Sequence, residues 1–251
     1  MTAVSEHRRP SHPVLELRSP LEFGFFVATN PLFRLAPKGE GRPVLVLPGF
    51  IASDTSTIPL RILLRQLRHR PKGWGLGRNM GPKPETLQGV YDLLSEMADR
   101  AEGPVPIVGW SLGGVYARLV AQEHPALVEQ VISLGSPFNF ASSERSALTP
   151  LWDYLKERND FVRDQDNVDL DQIPVPSTSV FTKTDGVVSW ESCVQSPGER
   201  AENIEVWGSH VGLGVNTSVG LVLADRLAQT PGKWRPFETP RAAGWMYPGG
   251  D

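Results

Sequence analysis

Ser111 lies in the run Gly109-Trp110-Ser111-Leu112-Gly113-Gly114, between a short apolar segment at 105–108 and a stretch with helical apolar spacing. A serine on the sharp turn between strand and helix must adopt strained backbone angles. Side chains two residues before and after it would collide with those elements, a clash that glycine removes. The chemistry such a turn offers is nucleophilic attack. A serine hydroxyl is a weak nucleophile at neutral pH, so it needs an imidazole to take its proton and a carboxylate to orient that imidazole. The chain has five histidines. His7 and His12 fall in a proline-rich lead, His69 ends an arginine-striped helix, and His124 precedes Pro125 at a helix end, where it reads as a cap. His210, in Gly208-Ser209-His210-Val211-Gly212, directly follows a strand signal at 203–206 and becomes the candidate base. The candidate acid is Asp185, in the turn Lys183-Thr184-Asp185-Gly186 after the strand signal at 178–181, although Asp-Gly is also a plain turn signal. Glu191 lies beyond that turn, and Asp171 lies in an acidic segment before the strand.

The elements that must bring these groups together alternate along the chain. The unbroken apolar run Val44-Leu45-Val46-Leu47 is typical of a strand buried on both faces. Leu60, Leu63, Leu64 and Leu67 then repeat at helical spacing beside Arg61, Arg65 and Arg68, a stripe that reads as a solvated face. Leu87, Val90, Tyr91, Leu94, Met97 and Ala98 mark a second helix closed by Gly103-Pro104. Strand signals at 105–108 and 128–134 bracket a third helix carrying Leu112, Val115, Tyr116, Leu119 and Val120, and a closing helix spans about 217–228. Repeated strand–helix–strand units imply an α/β protein with a mostly parallel central sheet and helices on both faces, because right-handed crossovers put them there. Sites in such sheets lie at strand C-terminal ends. The alternation lapses at 137–176, which reads as a small helical cap, with Leu151, Trp152 and Leu155 at partial helical spacing. Residues 1–42, with prolines at 10, 13, 20, 31 and 37, read as a lead broken wherever proline falls. Leu21, Phe23, Phe25, Phe26, Leu32 and Phe33 are too apolar for a free tail, so the lead is expected to lie across the domain at 43–229; contact with a membrane surface is the weighed alternative. Residues 230–251 read as a C-terminal tail.

The order Ser111, Asp185, His210, each just after a strand signal, is the nucleophile–acid–histidine order of α/β-hydrolases. Residues 44–50 (Val-Leu-Val-Leu-Pro-Gly-Phe), the Ser111 run, Thr184-Asp185-Gly186-Val187-Val188 and Gly208-Ser209-His210 resemble the signatures of bacterial lipases and esterases of that fold, over about residues 43–229. The resemblance implies an oxyanion hole made by the backbone N–H groups of Phe50 and Leu112. One departure is that many members of the family carry His-Gly after the first of these strands, where this chain has Pro48-Gly49.

Composition narrows the alternatives. With 251 residues, 40% hydrophobic and 21% charged, the chain fits one domain rather than a disordered segment, and a net charge of −3 argues against nucleic acid as a partner. One cysteine, Cys193, excludes an internal disulfide and any multi-cysteine metal site. The chain lacks a phosphate loop and an H-E-x-x-H zinc motif, and residues 75–81 miss the dinucleotide spacing by one residue, so no cofactor and no metal are expected. Asp164, Asp166, Asp169 and Asp171 lack the glycine and terminal glutamate of a calcium loop. There is no apolar run of membrane-span length and no secretory signal pattern, so a cytoplasmic location is expected. The function expected is hydrolysis of small-molecule or lipid esters with an apolar acyl group through an acyl-enzyme. Trp110, Phe138, Phe140 and Trp152 are offered as pocket residues or, equally, as core. Acyl transfer by the same triad and a non-catalytic binding module are the rival readings. Oligomeric state is not legible.

Overall fold

The computed structural model describes residues 12–139 and 169–248. Among the described residues six strands form one sheet: β1 (Pro43–Leu47), β2 (Arg70–Gly73), β3 (Val105–Trp110), β4 (Val128–Leu134), β5 (Ser177–Phe181) and β6 (Ala201–Glu205), in the order β2-β1-β3-β4-β5-β6. Every pairing is parallel. The helices are α1 (Ser19–Thr29), α2 (Ile58–Gln66), α3 (Pro84–Ala101), α4 (Leu112–Glu123) and α5 (Thr217–Leu227).

The unbroken apolar strands are explained by what covers them. Successive side chains of a strand point to opposite faces. Leu45 and Leu47 therefore pack with Ile107 and Val131 under α3 and α4, through Val90, Leu94, Val115, Tyr116 and Leu119. Val44 and Val46 pack on the opposite face with Val108, Ile132 and Val180 under α2 and α5, through Leu60, Leu64, Val219, Val222 and Leu223. This is the doubly covered parallel sheet expected from the alternation. Most of the expected cap at 137–176, including Phe140, Trp152, Asp164 and Asp166, lies outside the described residues.

Two elements were not legible. β2 reads Arg-Pro-Lys-Gly, with no strand pattern, and forms because β1 offers it an edge; Pro71 is tolerated there because an edge strand does not need every N–H. The lead forms α1, flanked by short 3₁₀ segments at Pro13–Arg18 and Asn30–Arg34. Pro13, Pro20 and Pro31 do not break these elements. Each sits in a first turn, where the missing N–H has no intrahelical partner to lose. Of the lead's apolar side chains, Phe26 and Phe33 are buried against Leu63, Leu67 and Ala224, whereas Leu21, Phe23, Phe25 and Leu32 remain exposed. In the last segment Ala243, Met246 and Tyr247 are buried on the α5 side, with the Tyr247 hydroxyl donating to the Ser218 carbonyl at 3.0 Å.

Candidate functional site

Ser111 joins β3 to α4 at φ 54°, ψ −124°, in a left-handed region a non-glycine residue rarely adopts. Its neighbours show why the strain persists. A Cβ on Gly109 would lie 2.4 Å from the Gly114 Cα, and one on Gly113 would lie 2.4 Å from the Leu47 carbonyl oxygen, so strand and helix meet with no space for side chains. The Ser111 N–H donates to the Leu134 carbonyl at 2.8 Å, which ties the turn to β4.

The structure brings Ser111, Asp185 and His210 together at the C-terminal edge of the sheet, all three at least nine-tenths buried. His210 Nε2 lies 3.0 Å from Ser111 Oγ, and His210 Nδ1 lies 2.7 Å from Asp185 Oδ2. An ionised carboxylate can only accept, so Nδ1 carries the proton and Nε2 is free to accept from the serine hydroxyl. Asp185 follows β5, and its Oδ1 accepts the Val187 and Val188 N–H groups, each at 2.8 Å, which fixes the carboxylate plane. Burial pushes the His210 imidazole down, but attraction to the Asp185 carboxylate, the hydrogen bond to it and the Glu16 charge together outweigh that and lift its pKa above the ordinary 6.5.

The remaining histidines and acids are elsewhere. His69 is buried beside Gly39, and burial together with the Arg42 charge pulls its pKa down to about 4. His124 is the last-turn cap position of α4, its ring 4.2 Å from that of Tyr91, and His12 is exposed. His7 lies outside the described residues. Asp171 accepts the Ser196 N–H at 2.7 Å, away from His210.

Leu112 directly follows Ser111, and Phe50 follows Gly49 in the loop after β1. Leu112 opens α4, where its N–H has no intrahelical acceptor. Gly49 lies against the serine, since a Cβ there would come within 3.1 Å of the Ser111 Cβ, and Phe50 is the next residue of that loop. Asn79 orders that loop. Its side-chain amide donates to the Pro48 carbonyl at 2.9 Å, its backbone carbonyl accepts the Ile51 N–H at 2.7 Å, and its own N–H donates to the Ala52 carbonyl at 2.8 Å. Sequence reading missed Asn79, which sits in the glycine-rich 75–81 run that registered only as a failed dinucleotide motif. Trp110, offered above as pocket or core, packs half-buried against the α2–α5 side of the core, and its indole N–H donates to the His210 carbonyl at 3.2 Å. Phe138 is core, capped by the guanidinium of the fully buried Arg118 at 3.5 Å from the ring centre. Among the described residues, no cluster of His, Cys, Asp or Glu could hold a metal ion, and no helix is long and apolar enough to cross a membrane.

No protein-family model matches the chain, and no curated protein matches it. Solved structures do. Lipase B of Aspergillus fumigatus is similar over 77% of this chain at 18% identity and a TM-score of 0.60, and this chain spans about half (54%) of that protein. A Bacillus licheniformis lipase in mature form is similar over 76% of this chain and 94% of its own, at 17% identity and a TM-score of 0.56. A lipase-esterase related protein from Clostridium acetobutylicum is similar over 77% and 94%, at 16% identity and a TM-score of 0.51. At such identities the likeness shows the fold, which is that of the α/β-hydrolases.

Proposed function

We propose that the protein is a serine hydrolase that cleaves carboxylic esters through an acyl-enzyme, with Ser111 as nucleophile, His210 as general base and acid, and Asp185 as the carboxylate orienting His210. The observation that carries this reading is the His210 ring, 3.0 Å from the serine oxygen on one side and 2.7 Å from the carboxylate on the other. Ser111 Oγ bonds to the ester carbonyl carbon as its proton passes to His210 Nε2. The carbonyl oxygen becomes an oxyanion facing the Phe50 and Leu112 N–H groups. Collapse breaks the bond to the alcohol oxygen, which leaves with the proton from His210. A water molecule then repeats the sequence on the acyl-enzyme, releasing the acid and restoring the serine. The chain's own residues supply every step. Similarity to lipases supports an ester with an apolar acyl group as the substrate class, either a small molecule or a lipid.

The test is Ser111→Ala. Folded protein carrying it is expected to lose turnover of p-nitrophenyl esters to background and to lose labelling by a fluorophosphonate probe. Full turnover in that variant removes the reading. A series of acyl chain lengths on the wild-type protein then separates preference for short, soluble esters from preference for long-chain lipid.

A further inference from the structure

We propose that Glu16, assisted by Glu22, is a positioning residue by which the N-terminal lead locks the acid-bearing and histidine-bearing turns to each other. The inference rests on the triad reading above. Glu16 reaches both turns with one carboxylate: Oε1 accepts the Gly186 N–H at 2.9 Å and the His210 N–H at 3.0 Å, and Oε2 accepts the Val211 N–H at 2.7 Å. Gly186 is the residue after the acid, and His210 is the base itself. Further along the lead, in α1, Glu22 accepts the Ser209 N–H at 2.9 Å and its hydroxyl at 2.7 Å. Between them Arg18 donates to the Thr184 carbonyl at 2.8 Å and to the Gly208 carbonyl, and pairs with Glu22 at 3.0 Å. Three lead side chains thus hold four consecutive residues of the histidine turn, 208–211, and two residues next to the acid.

The glycines of these turns are an independent sign that the fit is specific. A Cβ on Gly186 would stand 2.6 Å from the His12 carbonyl oxygen and 2.8 Å from Glu16 Oε1, and one on Gly212 would stand 1.4 Å from Glu22 Oε2. Side chains at either position would displace the lead. Hydrogen bonds from amides to an ionised carboxylate are among the stronger ones a protein makes, and spending three on a join between two turns fixes the distance between the groups those turns carry. The Glu16 charge also favours the imidazolium that His210 becomes during attack. The charged and titratable groups around His210 are Asp185 at Nδ1, Glu16 and Glu22 from the lead, and Arg18 between them. Cys193, near Asp185, is buried with its thiol pushed up and is neutral.

The experiment compares Glu16→Gln and Glu16→Ala in the full chain, with melting temperature to confirm folding. It reads kcat and KM on a p-nitrophenyl ester and follows the His210 ring titration by NMR. Loss of the clamp is expected to lower kcat by about 10–100-fold in Glu16→Ala with KM nearly unchanged, since small misplacements at a reacting centre are costly. Glu16→Gln keeps an acceptor at Oε1 and should retain more kcat than Glu16→Ala. Both variants remove the charge and should move the His210 titration down by about half a pH unit or more. Wild-type kcat and titration in Glu16→Gln overturn the proposal. So does loss of activity with an unmoved His210 titration in both variants, which assigns Glu16 a merely structural role. The NMR readout needs no turnover, so it still tests the clamp if Ser111→Ala were to retain activity and the triad reading failed.

Discussion

Replacing Asp185 by asparagine tests the assignment of roles more sharply than deleting the nucleophile, because the side chain keeps its shape. The native carboxylate accepts on both oxygens: two amides on Oδ1, from Val187 and Val188, and His210 Nδ1 on Oδ2. Asparagine has one accepting oxygen and must choose. With that oxygen toward the amides, its NH2 donates to His210 Nδ1 and forces the proton onto Nε2, where the ring can no longer accept from Ser111. With the oxygen toward His210, the NH2 faces two N–H donors, the buried one of Val188 and the half-buried one of Val187, and strands them. An unsatisfied buried donor costs roughly 1–3 kcal/mol and a half-buried one less, so the productive orientation is disfavoured by roughly 2–4 kcal/mol. At about 1.4 kcal/mol per factor of ten, the wrong tautomer dominates by about 30-fold to 10³-fold. The kcat of Asp185→Asn on a p-nitrophenyl ester should therefore fall by about 30-fold to 10³-fold, with the fold intact by circular dichroism. A variant within tenfold of wild type would refute the reasoning, because it would mean that His210 keeps its tautomer without Asp185.

Two further expectations concern protons. His210 must be neutral to accept from Ser111, and its pKa is raised above 6.5, so kcat/KM should fall on the acid side with a half-point above 6.5; a half-point clearly below that value in a profile over roughly pH 5–9 contradicts the electrostatics described here. His69 behaves in the opposite way. The unfolded chain binds its proton near 6.5 and the folded chain only near 4, so its contribution to stability is complete above 6.5 and is lost as pH falls from 6.5 toward 4. Melting temperatures measured across that window should fall less steeply in His69→Gln than in wild type.

What could be read in advance follows from how local each signal is. Ser111 announces itself because its strain must be relieved by residues two positions away, and those are glycines in the sequence. The sheet interior is legible because β1, β3 and β4 are covered on both faces and so carry continuous apolar runs. β2 carries no such signal, since Arg-Pro-Lys-Gly becomes a strand only through the partner that β1 presents. The proline rule misjudged the lead because proline is harmful inside a helix and harmless in its first turn, and pattern alone did not say which position each would take. Asn79, Glu16 and Glu22 act across large separations, with Glu16 binding His210 over 194 residues of chain, and no periodicity encodes such a contact. Cysteine and metal arithmetic bounded the chemistry, but could not locate it.

The three groups of the proposed triad are held by unequal means, and the difference explains why a lead segment reaches the site at all. Ser111 is fixed by the middle of the sheet: β3 has neighbours on both sides, and the turn bonds directly to Leu134 of β4. Asp185 follows β5, also an interior strand, and is gripped by the two amides that succeed it. His210 follows β6, which among the described residues is an edge strand with a partner on one side only. Its turn inherits less constraint from the sheet than the other two, yet proton transfer demands that the ring hold about 3 Å to both partners at once. The missing constraint must come from outside the sheet order. Trp110 supplies part of it through the His210 carbonyl, and the carboxylates of Glu16 and Glu22 supply the N–H side of the same turn. With donor and acceptor of the histidine backbone both engaged by other elements, the edge position of β6 no longer leaves its turn free to drift from Ser111.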